Sequence, residues 1–216
     1  MVFCEEYREL YYTLQSGYDG ELRFADLLER RLNSKPMIIH DLKLKIGTNE
    51  CQIDCLIIFY DEIYIFEVKN FKGDFEFGKK WWIQPNTEPC VNPLNQLNRT
   101  ESLVRKLFKR VDFDLRVSAH LVFINPSFVL YRAPKDKRMI FPGQLNKLLE
   151  EWNRIPCLVS DKEKRVYDTL LQYSLEKSGY ETELEFNYEE IKKGFPCEEC
   201  NEMMKVDRAK NRYGLI

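Results

Sequence analysis

Four polar side chains interrupt two strongly apolar stretches in the first third of the chain. They are Gln52, Asp54, Glu67 and Lys69. Charged groups are costly to bury unless they pair with an opposite charge or bind a metal ion. Two acids beside a lysine can hold a divalent cation and position a water molecule, or they can form a purely structural ion-pair network.

The apolar stretches 53–59 and 63–68 flank a short polar break, which is the pattern of a β-hairpin. If the turn is centred between residues 60 and 61, the numbers of opposed residues add up to 121. Tyr-Asp is an unfavourable two-residue turn, so a longer loop with a shifted register is the alternative.

In the register that adds up to 121, the polar residues lie opposite one another. Asp54 faces Glu67 and Gln52 faces Lys69, and the two-residue period of a strand places Gln52 on the same face as Asp54. Opposed side chains in such a ladder have Cβ atoms about 4.5–5.5 Å apart. Two carboxylates at that distance repel each other unless a cation lies between them or one is protonated. Lys69 would offset part of this repulsion and steer a water molecule.

The polar residues belong to a longer pattern that spans about residues 17–125. The pattern consists, in order, of GYDGELRFADLLERRL, ECQIDCLIIF, YIFEVKNFKGDF and NPLNQLNRTESLVRKL. Together these segments resemble the nuclease-related domain (NERD) family of the PD-(D/E)XK nuclease superfamily. The resemblance implies an α/β, restriction-endonuclease-like fold with a central mixed sheet flanked by helices. It also implies a metal-dependent nuclease that hydrolyses phosphodiester bonds of nucleic acid, above all DNA, as an endo- or exodeoxyribonuclease.

The resemblance assigns a role to each polar residue of this region. The ligands of Mg²⁺, or of Mn²⁺ in its place, would be Glu21, Asp54, Glu67 and the carbonyl of Val68. Lys69 would orient or deprotonate the attacking water, and Gln52 would orient a ligand or a water molecule. Gln96 would touch phosphate or a metal-bound water.

Two of these residues have a simpler explanation from spacing alone. The apolar spacing predicts helices at residues 5–15 and 20–32, and Glu21 would then lie in the first turn of the second helix, where the helix dipole favours a carboxylate. Asn92 and Pro93 predict a helix from about residue 94 to residue 110, on which Gln96 is an ordinary exposed side chain.

The overall charge bears on the partner. The 216 residues carry a formal net charge of −2, whereas proteins that bind nucleic acid non-specifically usually present a basic surface. Binding would therefore depend on a local patch on helix 94–110, which consists of Arg99, Arg105, Lys106, Lys109 and Arg110. Ordinary solvation explains the same residues equally well. The alternative function is a catalytically silent nucleic-acid-binding or signalling module on the same fold.

The remaining features concern compartment and domain organisation. The seven cysteines are an odd number, which argues against a secreted disulfide framework. With no apolar run long enough for a bilayer and no basic leader, the sequence predicts a cytoplasmic protein that does not cross a membrane.

We expect a nuclease-related domain at residues 1–190 and a tail at residues 191–216. The tail carries Cys197 and Cys200, a C-x-x-C pair that opens a zinc ribbon. Tetrahedral Zn²⁺ takes four ligands, so this pair is half of a site. Either further ligands come from elsewhere, the chain is cut short, or the thiols are free.

Overall fold

A computed structural model describes residues 5–59, 62–78, 81–84, 89–155 and 160–175. The described residues from Leu14 onward belong to one compact unit, and residues 5–13 are grouped outside it. The predicted boundary at residue 190 and the tail with Cys197 and Cys200 lie outside the described residues. No helix in the described part of the chain has the length and apolar character that a bilayer span requires.

The described residues form four α-helices and nine β-strands. In chain order they are α1 (Glu5–Arg31), β1 (Met37–Ile46), β2 (Asn49–Phe59), β3 (Glu62–Lys69), β4 (Gly73–Glu76), β5 (Trp81–Trp82), β6 (Cys90–Val91), α2 (Pro93–Arg110), β7 (Arg116–Phe123), β8 (Phe128–Tyr131), β9 (Met139–Ile140), α3 (Leu145–Trp152) and α4 (Asp161–Gln172). The predicted hairpin forms β2 and β3, and the helix predicted at 94–110 is α2.

Five strands form a central mixed sheet in the order β1-β2-β3-β7-β9. β1, β2 and β3 are antiparallel neighbours, whereas β7 is parallel to β3 and β9 is parallel to β7. The connection from β3 to β7 contains α2, as expected for the crossover that parallel strands need. The chain therefore has the α/β, restriction-endonuclease-like architecture that the resemblance implies.

Helices cover both faces of the sheet. The core on one face includes Leu97 and Leu107 of α2 with Val166 and Leu170 of α4. The core on the other face includes Phe24 and Leu28 of α1 with Leu149 and Trp152 of α3. Because β2 is covered on both faces, it is a continuous apolar run rather than an alternating one.

The prediction of two helices at residues 5–15 and 20–32 was wrong. α1 is a single helix of 27 residues, and Gly17 and Gly20 lie inside it. Glycine lowers helix propensity by about 1 kcal/mol, which packing of the apolar face against a sheet readily overcomes. Glu21 consequently lies in the interior of a helix, and the first-turn dipole explanation for its position does not apply.

Gly20 brings α1 close to the end of β3. A Cβ atom at this position would lie only 2.6 Å from the Cβ of Asn70, so the close approach requires glycine. The side-chain amide of Asn70 donates a hydrogen bond to the carbonyl of Ser16 at 2.8 Å. This contact holds the helix beside the strand end and so positions Glu21, the residue after Gly20.

Substitution of Phe123 tests the packing of the aromatic core. Its side chain is fully buried, with its ring centroid 4.2 Å from that of Phe128 and 5.7 Å from that of Trp82. We expect Phe123→Ala to lower the free energy of unfolding by about 3–5 kcal/mol in urea denaturation, because it leaves a cavity. The control Val129→Ala, whose side chain is 43% exposed, should cost about 1 kcal/mol or less. Equal small losses in both variants would contradict this packing.

Candidate active site

The hairpin register predicted from the sequence is confirmed. Cys55 faces Phe66 and Phe59 faces Glu62, so the numbers of opposed residues add up to 121. The ladder ends at the pair Cys55–Phe66. Asp54 and Glu67 therefore lie one position past the last paired residues, where the two strands are free to separate.

Asp54 lies beyond the end of this ladder and contacts the backbone of β3. Its Oδ2 accepts a hydrogen bond from the backbone N–H of Val68 at 2.7 Å, which fixes the carboxylate beside β3. Burial and then the charge of Glu67 raise the pKa of Asp54 from its usual 3.8 to about 7, although Val68 and Lys69 act in the opposite direction. Burial therefore disfavours the charged form of Asp54, and the neighbouring charge of Glu67 adds to this effect.

Glu67 and Lys69 form a close ion pair at the end of β3. Glu67 is 3% exposed, and its Oε1 lies 2.6 Å from Nζ of Lys69. Burial raises the pKa of Glu67, and Lys69 only partly offsets this effect. Burial alone would lower the pKa of Lys69, but the charge and hydrogen bond of Glu67, together with the charges of Asp54 and Glu21, outweigh it and the pKa is raised. Lys69 therefore remains protonated at neutral pH.

Glu21 reaches the same region from α1. Burial, followed by the charges of Asp54 and Asp41, raises the pKa of the half-buried Glu21 from 4.5 to about 7. The charge of Lys69 lowers the pKa of Glu21. Charged residues of both β2 (Asp54) and β3 (Lys69) therefore act on Glu21. The structure thus brings four of the predicted site residues together: Glu21, Asp54, Glu67 and Lys69.

Asp41 is an acidic residue of this region that the sequence reasoning missed. The pairing of β1 with β2 passes from His40–Cys55 to Leu42–Ile53 and leaves out the opposed aspartates Asp41 and Asp54. Asp41 has a φ of +47°, a left-handed conformation that is uncommon for a residue other than glycine. The sequence carries little signal for it, because Asp41 alternates with apolar residues in β1 as Lys43 and Lys45 do.

The side-chain alternation of β2 is interrupted at Asp54. Ile53 packs in the core beneath α2, whereas Cys55 packs in the core beneath α1, although residues two apart on a regular strand share a face. The prediction that Gln52 shares a face with Asp54 assumed strict alternation and does not describe this strand. Asp41 and Asp54 are missing from the backbone pairing of β1 with β2, and Asp41 has a positive φ. This local irregularity explains why the side chains of β2 change faces at Asp54.

Gln52 and Gln96 lie at the edge of the site rather than among its carboxylates. Gln52 pairs with Lys43 of β1 instead of with Lys69, and its Nε2 donates to Oδ1 of Asp41 at 2.7 Å. Gln96 is exposed on α2. Both glutamines line a cleft of about 400 Å³ between β2 and α2.

The basic patch on α2 is partly engaged within the protein. Arg105 forms an ion pair with Glu101 at 2.7 Å and also donates to the carbonyl of Val117. Arg99 donates to the carbonyl of Glu50 at 3.3 Å. Arg99 thus lines the cleft beside β2, whereas Lys106, Lys109 and Arg110 are exposed outside it.

The donor chemistry of the site fits a hard divalent cation. Glu21, Asp54 and Glu67 offer carboxylate oxygens, and burial followed by acidic neighbours raises the pKa values of the first two, an effect that a bound cation would oppose. Within the described residues, no group of three or more His, Cys, Asp or Glu is already arranged to hold a metal ion. Asp54 uses only one oxygen for the N–H of Val68, whereas a cation at Oε1 of Glu67 would have to displace Lys69.

Asp54 should make stability depend on pH. Since its pKa is raised on folding from 3.8 to about 7, the folded state binds the proton more tightly, and the free energy of unfolding falls as pH rises through this interval. In EDTA at pH 8 we expect Asp54→Asn to be more stable than the wild type by about 1–3 kcal/mol, below the full value of the shift because the site is partly solvated.

At pH 4 the advantage of Asp54→Asn should largely disappear, because the wild-type carboxyl is then protonated in the folded state. Urea denaturation at both pH values measures the difference. An Asp54→Asn variant less stable than the wild type at pH 8 would show that the carboxylate belongs to a structural network.

Comparison with known proteins places the site within one family. The model of the nuclease-related domain, NERD, matches residues 16–124, just over half of the 216 residues, and includes Glu21, Asp54, Glu67 and Lys69. Comparisons with curated proteins and with solved structures gave no match. The match points to a nuclease-related function and agrees with the fold and with the convergence of these residues. The chain belongs to the nuclease-related domain (NERD) family.

Proposed function

We propose that the chain is a metal-dependent nuclease that hydrolyses phosphodiester bonds of nucleic acid, with DNA as its first substrate class. The observation that carries the proposal is the convergence of Glu21, Asp54, Glu67 and Lys69 at the end of the hairpin ladder. Its physical support is that burial and then acidic neighbours raise the pKa values of Asp54 and Glu21 to about 7, so a bound cation would stabilise the charged forms of both.

The site would hold Mg²⁺ or Mn²⁺ through Glu21, Asp54, Glu67 and the carbonyl of Val68. The bound ion would supply a water of lowered pKa and offset the charge that develops on the phosphate. Asp54 is held by the N–H of Val68, so its second oxygen is the one directed to a ligand.

Lys69 acts as a hydrogen-bond donor rather than as a base. Because Glu67 raises its pKa, the ammonium stays charged, and its remaining N–H groups can bind a phosphate oxygen or orient the attacking water. Of the two roles that the resemblance implies for Lys69, orientation is the one its electrostatics favour.

A second candidate function is a nucleic-acid-binding module without turnover. It is favoured by the Lys69–Glu67 ion pair. It is also favoured because no three His, Cys, Asp or Glu side chains among the described residues are already arranged to hold a metal ion. The net charge of −2 also fits weak binding to a polyanion. This alternative predicts nucleic-acid binding that changes neither with Mg²⁺ nor with Asp54→Ala.

Cleavage assays test the proposal directly. We expect the purified chain to cut supercoiled plasmid or end-labelled linear DNA with Mg²⁺ or Mn²⁺ and to be inactive in EDTA. Glu67→Ala should lower the rate by about 100-fold or more, the usual cost of losing one stabilising group at a reacting centre. The matched control is Glu29→Gln, since Glu29 is exposed on α1 two turns beyond Glu21 and should leave the rate unchanged. No cleavage of DNA or RNA with either metal would defeat the proposal.

Cation binding should also be visible without substrate. A ligand at 100 times its dissociation constant stabilises the folded state by about 2.7 kcal/mol. At pH 8, saturating Mn²⁺ should therefore raise the melting temperature of the wild type and of Glu29→Gln by several degrees. It should have little effect on Asp54→Asn, which lacks one of the anionic ligands. Equal stabilisation of all three proteins would place the cation elsewhere.

A further inference from the structure

A cleft lies between β2 and the first turns of α2, and none of the carboxylates of the proposed cation site lines it. Its volume of about 400 Å³ is within the range of roughly 300–1,000 Å³ that is typical of small-ligand pockets. Its wall contains three primary amides, those of Gln52, Asn95 and Gln96, together with the guanidinium of Arg99. Such a concentration of paired donors and acceptors suits a flat heterocycle better than an isolated phosphate.

The hydrogen-bonding chemistry of the cleft matches the edge of a nucleobase. Each base edge presents donors and acceptors side by side, and Asn and Gln are the side chains that pair with both at once. Asn95 and Gln96 are exposed on α2, so their amides are available to a ligand.

The other walls suit the faces of a base. Val91 and Leu175 add apolar surface, and Val91 is 56% exposed although it is a β-branched apolar residue. Burial raises the pKa of the Cys51 thiol to about 11, so this thiol is neutral, while Lys43 and Glu50 add one charge of each sign to the lining. A purely solvated polar groove would not need these apolar side chains.

Arg99 lies at the cleft and contacts the backbone of β2. Its Nη2 donates to the carbonyl of Glu50 at 3.3 Å, which anchors one end of the guanidinium to β2. A planar guanidinium can stack on a base or donate to the adjoining phosphate with its remaining N–H groups. Stacking on the base and donation to the phosphate would both involve the nucleotide whose base occupies the cleft.

Gln52 connects the cleft to the carboxylates. It lines the cleft, and its Nε2 donates to Oδ1 of Asp41 at 2.7 Å. Asp41 in turn lies opposite Asp54 in the register of β1 and β2. A nucleotide whose base occupies the cleft would therefore place a neighbouring phosphate at the proposed reaction centre.

We propose that this cleft binds one unpaired nucleobase next to the scissile phosphate, so that the preferred substrate is single-stranded or has a single-stranded end. The inference deepens the proposed nuclease function and rests on it. A paired base inside a duplex cannot enter a cleft of this kind without leaving the stack, and this costs least when the base is already unpaired. The amides would then read the base edge, and the carboxylate site would act on the adjoining bond.

Binding measurements that need no turnover test this inference separately from catalysis. The protein is the Glu67→Gln variant, and the probes are fluorescent DNA duplexes with a four-nucleotide 5′ or 3′ overhang. A base-free nucleotide analogue is moved through the overhang one position at a time, and binding is followed by fluorescence anisotropy. We expect one position at which loss of the base weakens binding about tenfold, as for the loss of a two-hydrogen-bond contact to a base.

Gln96→Ala in the same background should reduce this tenfold ratio to about 1 by weakening only the intact probe, and Asn95→Ala should lower it in the same direction. The control Ser102→Ala changes an exposed residue of α2 outside the cleft and should leave the ratio unchanged. The inference is overturned if no position is sensitive to loss of the base, or if Gln96→Ala weakens intact and base-free probes equally. A base-sensitive position without any metal-dependent cleavage by the wild type would instead overturn the nuclease proposal and leave the cleft as a base-binding site.

Discussion

The hydrogen bond from the N–H of Val68 to the carboxylate of Asp54 is the contact on which the site depends. It occurs where the ladder between β2 and β3 has ended, so a side chain takes up a backbone donor at the edge of the pairing. Val68 lies between Glu67 and Lys69 on β3, so this hydrogen bond holds Asp54 beside the Glu67–Lys69 ion pair.

The rest of the fold surrounds this point with apolar surface. β2 and β3 are buried on both faces, and the low dielectric of that environment strengthens every charge–charge interaction at their ends. α1 adds Glu21 because Gly20 allows the helix to approach Asn70 closely. The scaffold therefore concentrates negative charge in one place and supplies a single tightly held lysine to balance it.

The parts of this arrangement that depend on local pattern could be predicted from the sequence. The apolar runs located the hairpin, and the short break between them determined its register, which is observed from Cys55–Phe66 to Phe59–Glu62. The continuity of α1 was missed because two glycines and nearby capping residues resemble a helix boundary, whereas packing against the sheet decides the outcome. Asp41 and the contacts of Gln52 could not be predicted, since both depend on the irregular pairing of β1 with β2.

We propose that Asp54 and Glu67 share one divalent cation. Anomalous diffraction from crystals soaked in Mn²⁺ at pH 8 tests this proposal most directly. We expect an anomalous peak within coordination distance of both carboxylates, with the Glu67 side chain rearranged relative to Lys69. Ordered Asp54 and Glu67 side chains with no peak between them at saturating Mn²⁺ would contradict it.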